Sequence, residues 1–363
     1  MARDIKLLDS CISKHHSRPS SNMAHQQQGK PYFLAASSIH GTGSFAAKNI
    51  PVGTPIIRCE DVWTPTTDEL ADDRKLATSF YRLDRKLQDR LLALNESSAA
   101  NQNASGGRAV LDDLYAQAKS LDNKEAAKDW LLRAISSHLK SIIKRNNLTG
   151  DSDTQYLYID MGHTNHCCVP NAQLVQDEDS HMATLYAVRD IPSGREIFVD
   201  YTDSNSTYER RQELLRFLHG ISCGCPLCSC GAAQRAASDA RRTQLSQNME
   251  TLTAFAEEDE RLEISSATRD ALSRQSDDYK QRAKNALRTA EKAVGLANEE
   301  GLVGMDMYQI WNAAWRPALV SGEKKTLQNC LDRAKEEADK FGGMKAAERI
   351  LFARLRTKVE EGR

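Results

Sequence analysis

The chain has 363 residues, enough for about two domains at roughly 150 residues each, so it can bury a sizeable core without disulfides. Charged residues make up 27% and apolar ones 40%, mean hydropathy is -0.58, and no apolar run nears the roughly 18 residues that span a bilayer, so no membrane partner is expected. Lys plus Arg number 49 against 50 Asp plus Glu, so no global field favours nucleic acid and direct nucleic-acid binding is not expected.

Residues 1–30, rich in Ser, His and Gln and without an apolar stretch, are predicted to be a flexible arm and no secretory signal. Over residues 31–66, short apolar clusters such as Tyr32-Phe33-Leu34 and Ile56-Ile57 are separated by Gly41, Gly43, Pro51, Gly53 and Pro55, a pattern of short strands and tight turns. Residues 67–150 take helical spacing, with Leu83, Leu87, Leu91 and Leu94 on one stripe and Trp130, Ala134, Leu139 and Ile142 on another, divided by a polar loop over 95–107. Strand signals return in residues 151–220, at 156–159, 184–188 and 196–199, with the turn Ile191-Pro192-Ser193-Gly194 before the last. A cysteine segment fills 221–232. Residues 233–363 shift to Ala, Glu, Lys, Arg and Leu, with helical periodicity around 278–296, 305–319, 325–341 and 345–359, predicting an all-helical domain of repeat-like hairpins. The fold class expected is α+β, a mostly β core of short strands carrying a helical insert and followed by that all-α domain.

The cysteines carry the strongest spacing. Of nine, Cys167, Cys168, Cys223, Cys225, Cys228 and Cys230 crowd into two short stretches, which in a chain this long reads as metal ligation in a reducing, intracellular compartment, nucleus or cytoplasm. Cys223-Gly224-Cys225-Pro226-Leu227-Cys228 puts three thiols within six residues, and Gly and Pro permit the reversal that aims them at one tetrahedral Zn²⁺. The fourth position is open to Cys230 locally, or to Cys167 or Cys168 from a distance. Four thiolates would make the zinc structural, since no position stays open for water.

Three further segments mean little singly. Ile39-His40-Gly41-Thr42-Gly43-Ser44 lets a backbone approach a ligand closely, yet it lacks the third glycine and the helix of a dinucleotide fingerprint. Asn165-His166-Cys167-Cys168-Val169-Pro170-Asn171 and Gly194-Arg195-Glu196-Ile197-Phe198-Val199-Asp200-Tyr201 are the others. Together, and in this order with the cysteine run, they resemble the SET-domain protein lysine methyltransferases. The family's G-x-G is matched by Gly41 to Gly43, its N-H-S-C-x-P-N by Asn165 to Asn171 with Cys167 for Ser, its G-E-E-I-x-x-x-Y by Gly194 to Tyr201 with Arg195 for Glu, and its post-SET C-x-C-x-x-C by Cys223 to Cys228. The resemblance covers residues 32–230 and is most like the SET and MYND group, although no cysteine-rich MYND module interrupts residues 60–166.

That resemblance implies an S-adenosylmethionine (AdoMet)-dependent protein-lysine N-methyltransferase acting on a histone or another protein that presents a lysine. AdoMet is expected against His40, Gly41, Thr42, Gly43, Asn165, His166 and Tyr201, with Tyr201 the catalytic tyrosine. Cys168 is implied as the fourth ligand beside Cys223, Cys225 and Cys228, so that one structural zinc pins the tail over the active site. The reaction is an in-line displacement that needs a neutral, aligned amine, and an apolar channel with a tyrosine serves both ends. The family's aromatic run before the cysteines is replaced by His219-Gly220-Ile221-Ser222, which thins the adenine packing and one channel wall. The alternative is therefore a catalytically weak or inactive SET-fold scaffold that binds partner proteins through its helical C-terminal domain.

Overall fold

The computed structural model describes residues 29–39, 41–59, 62–94, 106–146, 148–149, 155–177, 182–264 and 276–360. The expected arm up to residue 28, the polar loop at 95–105 and His40 lie outside the described residues.

Glycine-bounded turns keep the strands short. β1 (Tyr32–Ala36) and β2 (Thr42–Ala46) form an antiparallel hairpin whose turn contains Gly41 at φ +48°. β3 (Pro55–Cys59) is followed by β4 (Val62–Trp63), and then by helices α1 (Thr67–Ala71), α2 (Asp73–Arg82), α3 (Arg85–Ala93), α4 (Gly106–Lys119) and α5 (Lys124–Asn146). β5 (Leu148–Thr149), β6 (Gln155–Tyr158), β7 (Asn165–His166), β8 (Ala172–Gln176), β9 (Ala183–Ala187) and β10 (Phe198–Val199) complete the strands. They assemble as small sheets ordered β1-β2, β3-β9-β8, β4-β6-β5 and a parallel pair β10-β7. In β9 every second residue, Ala183, Leu185 and Ala187, is buried, and these pack with Ile56, Ile57, Ile191 and Ile197 as the sheet core.

The helical insert has a core of its own, built on Trp63, Phe80, Leu91, Leu111, Leu139 and Ile142. The leucine stripe expected from 83 to 94 is broken at Asp84, whose carboxylate accepts from the Leu87 amide at 2.9 Å and caps a new helix. Trp130 stands 36% exposed, because α5 turns Ile135, Leu139, Ile142 and Ile143 inward instead.

After Tyr201 come α6 (Tyr208–Leu214), a π-turn at Leu215–His219, α7 (Pro226–Ser229), and the helices α8 (Ala232–Ile264), α9 (Asp277–Glu299), α10 (Met305–Ser321), α11 (Lys324–Asp339) and α12 (Ala346–Glu360). Ala283, Ala286, Ala290 and Ala293 let α9 sit close to its neighbours. Val188 joins this helical core, and the partly buried Val175 and Tyr186 pack against it, so the helices are seated on the β8-β9 sheet. Gln173 strengthens the seat by accepting from the Met305 amide at 2.9 Å, at the start of α10. Among the described residues no helix is long and apolar enough to cross a membrane.

Candidate functional site

The parallel pairing of β7 with β10 sets Asn165 opposite Phe198 and His166 opposite Val199, which draws together segments thirty residues apart in sequence. Asn171 locks this register: its Nδ2 donates to the Glu196 carbonyl at 2.9 Å and its Oδ1 accepts from the Phe198 amide at 2.8 Å. The final Asn of the Asn165 to Asn171 segment is thus a clamp on the strand that leads to Tyr201.

Gly43 meets this clamp from the hairpin. A Cβ there would lie 2.1 Å from Glu196 Oε1 and 3.1 Å from Asn165 Nδ2, so the glycine is required by a buried carboxylate rather than by a turn. Glu196 is 8% exposed and accepts from Asn165 Nδ2 at 2.8 Å and from the Ser37 hydroxyl at 2.9 Å. Burial pushes its carboxyl upward, against the pull of those two donors. Asn165 Nδ2 also reaches the Thr42 carbonyl at 3.3 Å. The amide hydrogens of Asn165 are therefore spent holding the Gly41-Thr42-Gly43 segment to Glu196, a residue whose structural part its place in a charged motif did not suggest.

Tyr201 follows β10 directly. Its hydroxyl donates to the Thr164 carbonyl at 2.6 Å and its backbone N–H donates to His166 Nδ1 at 3.0 Å. Burial raises the phenol above its ordinary value and pushes His166 down to about 4, so both are neutral near pH 7. The His219 ring packs on the Tyr201 ring, centroids 4.7 Å apart, and its Nδ1 lies 3.0 Å from the Arg145 carbonyl, which makes that nitrogen the donor. The His219 imidazole thus packs where the sequence lacks an aromatic residue ahead of the cysteines.

Tyr201 and His219 line a cavity of about 830 Å³. α5 closes one side with Lys140 and Arg145, and the start of α10 closes another with Met305 and Asp306. Thr164 and Asp200 are among its lining residues, and the Thr164 hydroxyl and Asp200 Oδ2 are buried with no hydrogen-bond partner among the described residues. Burial lifts Asp200 and Asp306 each to about 6, and Ser204 donates to Asp306 at 2.5 Å.

The cysteines meet below. Sγ atoms of Cys168, Cys223, Cys225 and Cys228 all lie within 4.8 Å of one another, with Cys168 at 3.9 Å from Cys223 and 3.5 Å from Cys228. A tetrahedral zinc with bonds of about 2.3 Å requires sulfurs about 3.8 Å apart, so the set fits such an ion. Gln212 of α6 grips Cys223 by both its amide, 3.1 Å, and its carbonyl, 2.9 Å. Arg211, 1% exposed, lies against Cys168 and Cys228, where its charge offsets part of the excess negative charge of a four-thiolate site. Cys167 is outside this four-sulfur group, buried with its thiol against Cys225. Cys230 stays outside, its thiol donating to the Leu227 carbonyl at 2.9 Å. Arg242 of α8, wholly buried, ties the helices to this centre: it reaches Glu300 Oε2 at 2.7 Å, the Ser204 carbonyl, and the Cys168 carbonyl at 3.3 Å.

Residues 41–202 match the SET domain family. Within that SET region fall the hairpin glycines, the Asn165–His166 strand, Cys168 and Tyr201, while the other three cysteines lie beyond its end. Histone-lysine N-methyltransferase set5 of Schizosaccharomyces pombe is 35% identical over 101 residues, covering 28% of this chain and 32% of that protein. Protein-lysine N-trimethyltransferase SMYD5 of Gallus gallus is 28% identical over 112 residues, 30% of this chain and 27% of that protein. The matched stretches thus span less than a third of either relative's length. A crystal structure of the SET domain of LSMT bound to lysine and AdoHcy superposes with a TM-score of 0.31 at 9% identity, covering 99% of this chain and 93% of that one.

Proposed function

We propose that the protein is an AdoMet-dependent protein-lysine N-methyltransferase whose substrate is a lysine of a histone or another protein. The observation that carries this reading is Tyr201, held by its hydroxyl on Thr164 and its amide on His166 at the wall of a two-sided cavity within the SET region. The names borne by the partial relatives, histone-lysine and protein-lysine methyltransferases, support the same chemistry.

AdoMet, when bound, supplies an electrophilic methyl on a sulfonium. Gly41, Thr42 and Gly43, with Asn165 and His166, are the residues we assign to hold it, together with His40 by its place in the same segment. Apolar cavity residues such as Leu174, Leu185 and Val199 disfavour a charged ammonium and so favour the neutral amine that displacement requires. Tyr201, its hydroxyl already committed to the Thr164 carbonyl, offers an oxygen lone pair to an N–H of that amine and so aligns it. Cys168, Cys223, Cys225 and Cys228 we assign to one structural zinc. The helices after residue 233 supply one cavity wall through Met305 and Asp306, which supports a part in clamping the substrate. The scaffold alternative drew on missing aromatics at His219 and Ile221; the packing of the His219 ring on Tyr201 supports the enzyme reading.

Calorimetry of AdoMet on the purified protein beside Asn165→Ala, followed by mass shifts on lysines of a histone mixture beside Tyr201→Phe, tests the reading. Failure of folded protein to bind AdoMet would refute it.

A further inference from the structure

The His166 side chain faces away from the hairpin glycines and towards the cysteines. Its Nδ1 accepts the Tyr201 N–H at 3.0 Å, and its Nε2 lies 3.3 Å from Cys168 Sγ. The tautomer is decided by these neighbours. A backbone N–H only donates, so Nδ1 must present its lone pair, and the ring proton of the neutral imidazole is left on Nε2, aimed at the sulfur. Asp200 Oδ1 also approaches Nδ1, at 3.3 Å, yet it already accepts from the Thr202 amide and hydroxyl, both at 2.8 Å. The opposite tautomer would set two N–H groups against each other at Tyr201 and two lone pairs against each other at Cys168.

We infer that His166 is a positioning residue, the joint through which the metal-bearing cysteine cluster holds the backbone of Tyr201. The chain of contacts runs from metal to Cys168 Sγ, from Sγ to Nε2–H, across a ring with 1% side-chain exposure, and from Nδ1 to the Tyr201 amide. Such a ring, enclosed on all sides, transmits a displacement of the sulfur rather than absorbing it. Tyr201 has a second anchor at its other end, the Thr164 carbonyl, and Thr164 is next but one to His166, so both anchors ride on β7 and its approach. The metal would thus act on the reaction without touching substrate, by fixing where the tyrosine ring begins.

The inference rests on the cysteines holding a metal and not on methyl transfer, so its test does not need turnover. Full-length protein labelled with ¹⁵N-tyrosine, its Tyr201 amide identified by loss of the peak in Tyr201→Phe, is compared with zinc and with the larger cadmium bound. The exchange is expected to move the Tyr201 amide more than those of remote tyrosines such as Tyr81 and Tyr308. In His166→Asn, whose shorter side chain keeps an acceptor near Nδ1 but has no N–H to reach Cys168, that movement is expected to vanish. A Tyr201 resonance that does not respond to the metal in the wild-type protein, or responds equally in the variant, overturns the inference, as does a protein that takes up neither ion; the wild-type arm decides alone should the variant not fold. Where turnover is measurable, His166→Asn is further expected to lower kcat by about tenfold to a hundredfold, since displacement of the tyrosine spoils alignment.

Discussion

Gly43→Ala is a small change that is expected to be costly, and the structure says why. The added methyl would sit 2.1 Å from Glu196 Oε1 and 2.8 Å from its Cδ, so the carboxylate must move. That carboxylate is held by the Asn165 amide and the Ser37 hydroxyl, and hydrogen bonds to a charged group are worth about 1.5–3 kcal/mol each. The variant is therefore expected to lose about 3 kcal/mol of unfolding free energy, although alanine is otherwise the better strand residue by about 0.5–1 kcal/mol. Urea unfolding followed by circular dichroism measures it. The decisive arm is the double mutant. In a Glu196→Ala background both sub-3 Å contacts are removed, and the next nearest atom, Asn165 Nδ2 at 3.1 Å, must give by a few tenths of an ångström. There Gly43→Ala is expected to cost less than about 1 kcal/mol, a coupling of at least about 2 kcal/mol. A cost unchanged in that background, or absent in the wild type, would refute the assignment of Gly43 to Glu196.

Tyr201→Phe loses the 2.6 Å bond to Thr164 and is expected to reduce methyl transfer by about a hundredfold while AdoMet binding persists, read by radiolabel transfer and calorimetry. Cys168→Ala is expected to lower bound zinc from one ion per chain, measured by mass spectrometry of metals, whereas Cys230→Ala is expected to leave it unchanged because that thiol stands apart from the cluster. Asp306 has its folded carboxyl raised from 3.8 to about 6 by burial, so the unfolded chain ionises first and this group's contribution to stability falls as pH rises from about 4 to 6. Asp306→Asn, which can still accept from Ser204, is expected to be more stable than wild type at pH 7.5 by up to about 3 kcal/mol and to lose that advantage at pH 4, in paired denaturant titrations. Arg242→Ala leaves Glu300 buried with less charge to face and is expected to cost about 3–5 kcal/mol in the same assay.

What could be read from the chain alone was what local spacing dictates. Three thiols within six residues can hardly avoid one another, and Cys223, Cys225 and Cys228 do meet. Their partner Cys168 is 55 residues away, so spacing left Cys230 and Cys167 equally open and only the pairing of β7 with β10 brings Cys168 in. The long helix α8 escaped a periodicity search for a related reason: its buried face includes Ser238, Arg242, Asn248 and Asp259, which spoil an apolar stripe that is nonetheless continued by Leu245, Leu252 and Phe255. Polar residues become core residues there because partners such as Glu300 and Tyr279 arrive from another helix.

The sequence by itself determined the order of short strands, helical insert, thiols and helices, since turn residues, helical period and cysteine spacing act over a few neighbours. Tertiary structure decided the rest. Only the folded chain shows that Gly43 yields to Glu196, that His219 packs on Tyr201, and that His166 spans from Tyr201 to Cys168. Each is a contact between residues remote in sequence, and a side chain's meaning there depends on which donor or sulfur the fold carries to it.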